Sequence, residues 1–282
     1  MPFFKIIRPF NCLFAVLTTL FGIFYLQCFA FNLHVLSALI SVFLISAAGY
    51  TINDFFDHKI DKINKPERVL PSGQITLNQA KIFSFVLFCV GVFIAVCTLN
   101  KYCILIAIIN SISLYFYAKN LKKQLFIGNM VVAWNACSTF IYGALITNNI
   151  QKVLPIIIFS FLYTIIREWV KTIEDCEGDK QENVKSIVVL YGMEMAKKVI
   201  YLPILLTISS VLFFSYYNYF TADLFFLFIL LITFPLLIFM VVIKKAQTQQ
   251  TFHKIQSYMK LDMLCIVIVF IINDIIKFRL IT

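Results

Sequence analysis

The stretch "LHVLSALISVFLISAAGYTINDFFDHKID", Leu33 to Asp61, decides the fold, because a long apolar run ends there in a cluster of carboxylates. The 282-residue chain is 61% hydrophobic and only 13% charged, and it contains 31 Phe. Apolar runs of about twenty residues are long enough to cross a bilayer as helices, and they recur along the chain. The sequence therefore predicts an integral membrane protein of the all-α class.

About nine candidate spans can be counted with this length criterion. They cover approximately residues 10–30, 33–54, 80–98, 102–118, 127–147, 153–171, 192–216, 222–243 and 259–277. The first span follows the basic start "MPFFKIIRPF", but it is too long for a secretory signal and lacks a small-x-small cleavage site, so we expect it to be retained. We expect residues 1–282 to form a single membrane domain. Segment 244–260 is expected to be a basic, partly helical connection at the membrane surface, and Asn273, Asp274 and Lys277 a polar end of the last span.

The basic residues predict the orientation in the membrane. If the spans alternate, most of the 24 Lys and Arg lie on the side of the N-terminus and of the loops after the even-numbered spans. By the positive-inside rule that side is cytoplasmic, which predicts a multi-pass protein of the cell membrane. The net charge of +10 is explained by these loops, so no nucleic-acid partner is expected. Anionic membrane lipids and a phosphorylated substrate are the natural partners of such loops.

Asp54, Asp57 and Asp61 form a first acidic group at the end of the second span. Their spacing of i, i+3 and i+7 places them within about 60° of one another on a helix. Three carboxylates on one face repel one another, and a divalent cation with oxygen ligands, Mg²⁺, would relieve that repulsion. The alternative is a solvated helix end that happens to be acidic.

A second acidic group follows the sixth span in "REWVKTIEDCEGDKQ", Arg167 to Gln181. On a helix Glu168, Asp175 and Asp179 would share one face, with Lys171 beside them. Both groups follow even-numbered spans, which predicts that they lie on the same side of the membrane. Two such faces could hold Mg²⁺ ions around one diphosphate, whose departure as a leaving group requires its charge to be neutralised.

Basic side chains on the same side are candidates for binding phosphate oxygens. Each alone is equally well explained as a charge that sets the topology, but beside two metal sites they become candidate anion ligands. Lys122 and Arg68 are the first choices, and the set consists of Arg8, Arg68, Lys119, Lys122, Lys123 and Lys171. Arg167 and Glu174 are expected to form a structural ion pair with each other.

These motifs resemble the UbiA superfamily of intramembrane prenyltransferases. The family signature NDxxDxxxD stands here as Asn53, Asp54, Asp57 and Asp61. The following "NKPERVLPSG" is similar to the family's NRPxRPLPSG, with Val69 in place of a usual proline. The second signature, usually DxxxxxxDxxxD, stands here as Glu168, Asp175 and Asp179, so its first aspartate is replaced by glutamate.

One branch of the family is especially similar. The pattern "REWVKTIEDCEGDK" resembles the branch that includes geranylgeranylglycerol-phosphate geranylgeranyltransferase, and Lys171 takes the place of a tyrosine found in quinone-pathway members. "IRPFN", residues 7–11, and "YAKNLKKQLFIGN", residues 117–129, are also similar to that branch. Asn11 and Tyr117 therefore join Asn53 and the basic residues as candidates for substrate binding.

The resemblance implies a helical bundle around a central cavity, capped on the cytoplasmic side by the acidic loops. It implies Mg²⁺-dependent transfer of a polyprenyl group from a prenyl diphosphate to a lipid or small-molecule acceptor, with an ether-lipid acceptor expected here. The implied catalytic residues are Asp54, Asp57, Asp61, Asp175 and Asp179, and the implied metal ligands are these five with Glu168. An aromatic acceptor such as 4-hydroxybenzoate or another quinone precursor is the alternative, and a membrane transporter is a remote one.

Overall fold

The computed structural model describes residues 1–25, 31–181, 184–220 and 222–281. These parts of the chain contain α-helices, short 3₁₀ and π turns and no β-strand. The helices in chain order are α1 (Pro2–Ile6), α2 (Pro9–Phe24), α3 (Leu33–Asn64), α4 (Leu77–Val96), α5 (Lys101–Lys119), α6 (Ile127–Ile146), α7 (Ile150–Glu174), α8 (Cys176–Gln181), α9 (Ile187–Tyr216), α10 (Ala222–Phe228), α11 (Phe234–Lys245) and α12 (Gln249–Ile281).

Within the described ranges, eight helical segments are long and apolar enough to cross a membrane. The π turn Ile229–Thr233 joins α10 and α11, and one of the eight segments, Phe225–Lys245, runs through it. The shorter apolar helix α2 covers residues 10–24 of the first predicted span, and residues 26–30 of that span lie outside the described part. The expectation of an all-α, multi-pass membrane protein is therefore confirmed.

The boundaries of α3 have local causes. The Asn32 side chain caps its first turn by accepting a hydrogen bond from the Val35 amide at 3.1 Å. The helix ends at Asn64 because Pro66 disfavours a helical conformation for the residue before it, and Lys65 has φ −147° and ψ 61°. α3 therefore continues ten residues beyond the predicted end of the span at 54, and this extension carries Asp57 and Asp61 of the first acidic group, while Asp54 lies at the predicted end.

The chain packs as two compact units. The first comprises Met1–Phe24, Cys28–Lys122 and Ser138–Ile150. α3 lies at its centre and buries Ala38, Val42, Ile45, Ala48 and Ile52, which follow helical spacing, in the core of that unit. The expectation of one domain over residues 1–282 stays a prediction.

The second unit comprises Tyr25–Gln27, Lys123–Cys137 and Gln151–Thr282. Its core contains an aromatic cluster in which Phe159 lies 6.2 Å from Phe214 and 5.8 Å from Phe270, measured between ring centroids. α9 is interrupted at Gly192, whose φ of +81° is accessible to glycine at little cost. The connection expected over 244–260 is mostly helical, since α11 ends at Lys245 and α12 begins at Gln249. The side chains of Asn273, Asp274 and Lys277 lie outside the described part.

Candidate active site

The first acidic group lies on the last turns of α3. Asp54, Asp57 and Asp61 are all helical, so the predicted spacing on one helix face is confirmed. Asp54 and Asp61 are each only 6% exposed, and Asp57 is half-buried. Asn53 donates a hydrogen bond from its side-chain amide to the carboxylate of Asp57 at 2.9 Å. Within the first signature, Asn53 is thus bound directly to Asp57.

Each carboxylate of this group is paired with a basic side chain. Arg68 donates through Nη1 to Asp61 Oδ2 at 2.7 Å, and the same nitrogen lies 3.6 Å from Asp54 Oδ1. Arg8 donates to Asp54, and Lys122 donates to Asp57. Lys122 and Arg68, the first-choice cations, thus both pair with this group, as Arg8 does, and their binding of phosphate oxygens stays a prediction. Three carboxylates face three cations, so the group is close to electrically neutral.

Arg8 is held in an unusual backbone conformation. It has φ +51° in the link between α1 and α2, a region that a residue with a side chain rarely adopts. Its guanidinium lies 5.3 Å from the centroid of the Tyr50 ring, within cation–π range. The strained backbone and the ring together fix the guanidinium beside Asp54, and such strain is concentrated at functional sites.

The other candidates in the first unit are Lys119, Tyr117 and Asn11. The Lys119 ammonium lies 6.0 Å from the centroid of the Tyr115 ring rather than on a carboxylate. Tyr117 is half-buried on α5. Asn11 is exposed on the first turn of α2, where its amide nitrogen donates to the Arg8 carbonyl at 2.9 Å. Asn11 therefore contributes to the position of Arg8 through the backbone.

The second acidic group begins on α7. Glu168 is 8% exposed, and its carboxylate accepts a hydrogen bond from Arg167 at 2.6 Å. α7 ends at Glu174, so Asp175 lies at a junction and Asp179 lies on the separate helix α8. The amide of Asp175 still donates to the carbonyl of Lys171 at 2.9 Å, which keeps a helical turn across the junction. The sequence predicted one uninterrupted helix for the three carboxylates, but the structure has two helices, α7 and α8, in this segment.

Two basic candidates belong to the second unit. The Lys171 side chain is exposed at the end of α7. Lys123 is half-buried, and its carbonyl accepts a hydrogen bond from the amide of Lys185 at 3.0 Å. This bond ties the segment before α6 to the segment that follows α8.

The expected ion pair between Arg167 and Glu174 is wrong. Arg167 binds its neighbour Glu168, and Glu174 binds Nδ1 of His253 at 2.7 Å. Seven residues correspond to about 10.5 Å along a helix, which is too far for a direct pair, whereas α12 brings His253 alongside. Pairs between helices that are far apart in sequence cannot be deduced from positions on one helix.

The donor atoms of the two acidic groups are of the type that suits a magnesium site. Among the described residues, no three His, Cys, Asp or Glu side chains converge closely enough to hold an ion. The available donors are carboxylate and amide oxygens, which are the ligands that Mg²⁺ prefers. The carboxylates of the first group are instead engaged by cations that are also phosphate ligands by type. The same side chains can therefore serve a metal and an anion once their ion pairs open.

A further polar pair, which the sequence did not lead us to expect, is buried between α7 and α12. Tyr163 on α7 donates its hydroxyl hydrogen bond to the carboxylate of Asp262 on α12. Tyr163 is 2% exposed and Asp262 is 9% exposed. The available signal was the single acid in the apolar run "MKLDMLCIVIVF", because ionisable residues within membrane spans are rare and usually functional.

The match of this chain to a known protein family agrees with the two acidic groups and the membrane-spanning helices. The model of the UbiA prenyltransferase family matches residues 15–264. The chain therefore belongs to the UbiA prenyltransferase family, and it is a multi-pass membrane prenyltransferase. Family membership decides against the transporter alternative.

Some of the individual proteins similar to this chain carry a more specific name than that of the family. A digeranylgeranylglyceryl phosphate synthase from Methanosphaera stadtmanae is 34% identical over 268 residues, which cover 93% of this chain and 95% of the relative. The synthase of the same name from Saccharolobus solfataricus is 39% identical over 249 residues, 86% of each chain. A solved structure of a digeranylgeranylglyceryl phosphate synthase has a TM-score of 0.84 and 32% identity, and covers 97% of this chain and 98% of its own. A UbiA homolog from Archaeoglobus fulgidus, bound to DMAPP and Mg²⁺, shares the fold with a TM-score of 0.74 at 19% identity over 95% of this chain and 99% of its own.

Proposed function

We propose that this chain transfers a geranylgeranyl group from its diphosphate to the free hydroxyl of geranylgeranylglyceryl phosphate. The observation that carries the proposal is the similarity, over nearly the whole chain, to relatives named digeranylgeranylglyceryl phosphate synthase. The sequence variant of the second acidic group, Glu168 with Lys171, independently favours the same branch. The donor is thus a polyprenyl diphosphate and the acceptor a lipid.

The charge balance of the first acidic group supports a requirement for Mg²⁺. Its three carboxylates are already neutralised by Arg8, Arg68 and Lys122, so a bound diphosphate would leave an excess of negative charge. Divalent cations entering with the diphosphate would restore the balance. We propose that Asn53 and Asp54, Asp57 and Asp61 hold Mg²⁺ in the first unit, and that Glu168, Asp175 and Asp179 do so in the second. When bound, the metal stabilises the negative charge of the departing diphosphate.

The basic residues then exchange partners. Arg68 and Lys122 leave their carboxylates and bind phosphate oxygens, and Arg8 does the same from its place over the Tyr50 ring. Arg68 is the strongest candidate because its Nη1 already lies between two carboxylates, at 2.7 Å from Asp61 and 3.6 Å from Asp54, and a guanidinium has further N–H donors for phosphate oxygens. Lys119, Lys123, Lys171, Asn11 and Tyr117 are proposed as further contacts to the substrates.

Water must be excluded from the reaction, because a prenyl cation is captured by any nearby water. The acidic groups lie at the ends of apolar helices, so the prenyl tail is expected to extend into the membrane-spanning part of the chain. The acceptor oxygen attacks the allylic carbon there, and its proton is lost. The diphosphate remains at the polar end of the helices, where charge is better solvated.

The orientation in the membrane is part of the proposal. The concentration of Lys and Arg in the loops after the even-numbered spans supports a cytoplasmic location for the N-terminus and for both acidic groups. The protein would then receive its phosphorylated substrates from the cytoplasmic face of the cell membrane.

Separate incubations test the choice of acceptor. Membranes that contain the protein are supplied with Mg²⁺, geranylgeranyl diphosphate and one acceptor at a time, and membranes from cells without the protein are the control. We expect an ether product with geranylgeranylglyceryl phosphate and none with 4-hydroxybenzoate. Turnover with the aromatic acid alone would refute the lipid assignment.

A further inference from the structure

Tyr163 and Asp262 form a polar link between α7 and α12 inside the membrane-spanning part of the chain. The phenolic hydroxyl donates to the carboxylate, and both side chains are at least nine-tenths buried. They belong to the segments Ile150–Glu174 and Gln249–Ile272, which are apolar enough to cross a bilayer. An acid in such a place is costly, so its presence calls for a functional explanation.

Asp262 differs from the other buried acids in its partner. Among the residues that the structure describes, Asp54, Asp61 and Glu168 are also buried, and each is paired with an arginine. Asp262 instead accepts a hydrogen bond from an uncharged hydroxyl. A buried carboxylate that is not balanced by a cation is stabilised by taking up a proton.

The depth of the pair suits a role in the reaction. Tyr163 precedes Glu168 by five residues on α7, which is about 7.5 Å deeper into the apolar part of the helix. In the proposed reaction the diphosphate is held at the level of Glu168 and beyond, so the allylic carbon and the attacking oxygen lie on the membrane side of it. Tyr163 and Asp262 occupy that level of the second unit.

A buried aromatic cluster lies next to Tyr163 on α7. Phe159 lies one turn below Tyr163 on α7, and its ring packs against those of Phe214, Phe228 and Phe270. All four rings are buried. The Asp262 carboxylate is itself only 9% exposed, so it would take a proton in a region from which water, the usual proton acceptor, is largely excluded.

We propose that the Asp262 carboxylate, oriented by Tyr163, accepts the proton that the acceptor loses on prenylation. A bond forms between the acceptor oxygen and the allylic carbon, and the bond between that carbon and the diphosphate oxygen breaks, with its electron pair leaving on the diphosphate. The hydroxyl proton of the acceptor passes to Asp262 and returns to solvent after the product departs. This inference rests on the proposed function, but a prenylated aromatic ring would release a proton in the same way.

Asp262→Asn tests the proposal in the purified full-length protein. Asparagine keeps the size of the side chain and an oxygen that accepts the Tyr163 hydrogen bond, but it cannot take the proton. We expect kcat for ether formation to fall by about 100-fold or more, with both KM values and the Tm close to those of the wild type. Asp262→Glu, which restores a carboxylate, should recover part of the lost rate.

A matched control separates chemistry from packing. Glu174→Gln alters the other polar link between α7 and α12, the hydrogen bond with His253, and should leave kcat unchanged. If Asp262→Asn turns over like the wild type and like Glu174→Gln, the pair is only an interhelical hydrogen bond and the proposal is overturned. If Asp262→Asn does not fold, Tyr163→Phe decides by the same assay: a fall in kcat of about tenfold supports the role, and an unchanged kcat overturns it. A wild-type protein that forms no prenylated product with any acceptor would instead overturn the proposed function, and this inference with it.

Discussion

The three carboxylates on α3 share one helix face, and two of their cationic partners come from distant parts of the sequence. The spacing of Asp54, Asp57 and Asp61 is a property of one helix, so it can be calculated from the sequence. The pairs of Arg8 with Asp54 and of Lys122 with Asp57 join residues that are 46 and 65 positions apart. Such contacts depend on how helices pack, which the local pattern does not determine. These cations were candidates because of their charge and because they were predicted to lie on the same side of the membrane as the acidic groups.

Removing a single carboxylate charge from either acidic group should abolish turnover. Asp54→Asn and Asp175→Asn keep the size of the side chain but weaken the proposed magnesium site, and we expect diphosphate release to fall by about 100-fold or more. The measurement is Mg²⁺-dependent release of diphosphate by purified protein.

Two exposed acids serve as matched controls for these substitutions. Glu67 follows the first group and Glu177 lies within the second, and both side chains are exposed. Glu67→Gln and Glu177→Gln should retain activity within about twofold, because an exposed charge is screened by water. Normal activity of both Asp54→Asn and Asp175→Asn would contradict the metal-binding role.

The existence of the long helices could be predicted more reliably than their ends. Apolar runs predicted the spans because hydropathy and length suffice for that. A helix through the first acidic group and partly helical structure in 244–260 were both expected, but the exact ends, Asn64 for α3 and Gln249 for α12, were not, since polar helical turns beyond the membrane carry no hydropathy signal. The break of α7 at Asp175 was missed because an acidic sequence that can form one helix can also form two.

Because α2 and α6 pack closely at Gly143, we expect a larger residue there to destabilise the protein. A Cβ atom added at Gly143 would collide with the carbonyl oxygen of Thr19 and lie 2.9 Å from the amide nitrogen of Ile23, both of which are backbone atoms of α2. Small residues permit such close approach of helices in membranes. We expect Gly143→Ala to destabilise the protein by about 1–3 kcal/mol, measured as a lower Tm in detergent.

Gly49→Ala is the control for this substitution. There the added Cβ would lie 2.9 Å from Leu114 Cδ1, the end of a flexible side chain that can move aside. Its Tm should stay near that of the wild type, partly because alanine favours a helix over glycine by about 1 kcal/mol. Equal Tm values for Gly143→Ala and the wild type would show that the two helices are not in backbone contact.

For the whole molecule, the sequence allowed the class of protein to be predicted, but not the packing of its helices into two units. Two acidic signatures separated by several apolar spans are specific to one family, and the family match over residues 15–264 confirms it. The division into two units cuts through α6, between Cys137 and Ser138, at a point that no motif marks. Packing between distant helices produces such a boundary, so composition and spacing do not reveal it.

Reporter fusions test the proposed orientation. Green fluorescent protein fused after Gln124, in the segment between α5 and α6, should fluoresce because that segment is expected to be cytoplasmic. Alkaline phosphatase fused after Asn148, between α6 and α7, should be active because that loop is expected on the opposite side. The exchanged reporters at the same two positions are the controls. The opposite pattern would invert the topology and place both acidic groups outside the cell.

The most direct test of the central claim is the mass of the product that the purified protein makes from competing acceptors. The protein is reconstituted with Mg²⁺, geranylgeranyl diphosphate and equal amounts of geranylgeranylglyceryl phosphate and 4-hydroxybenzoate. We predict the mass of digeranylgeranylglyceryl phosphate, one diphosphate released for each ether formed, and no product after the metal is chelated. Prenylated 4-hydroxybenzoate as the sole product, or ether formation that persists without divalent metal, would contradict the account.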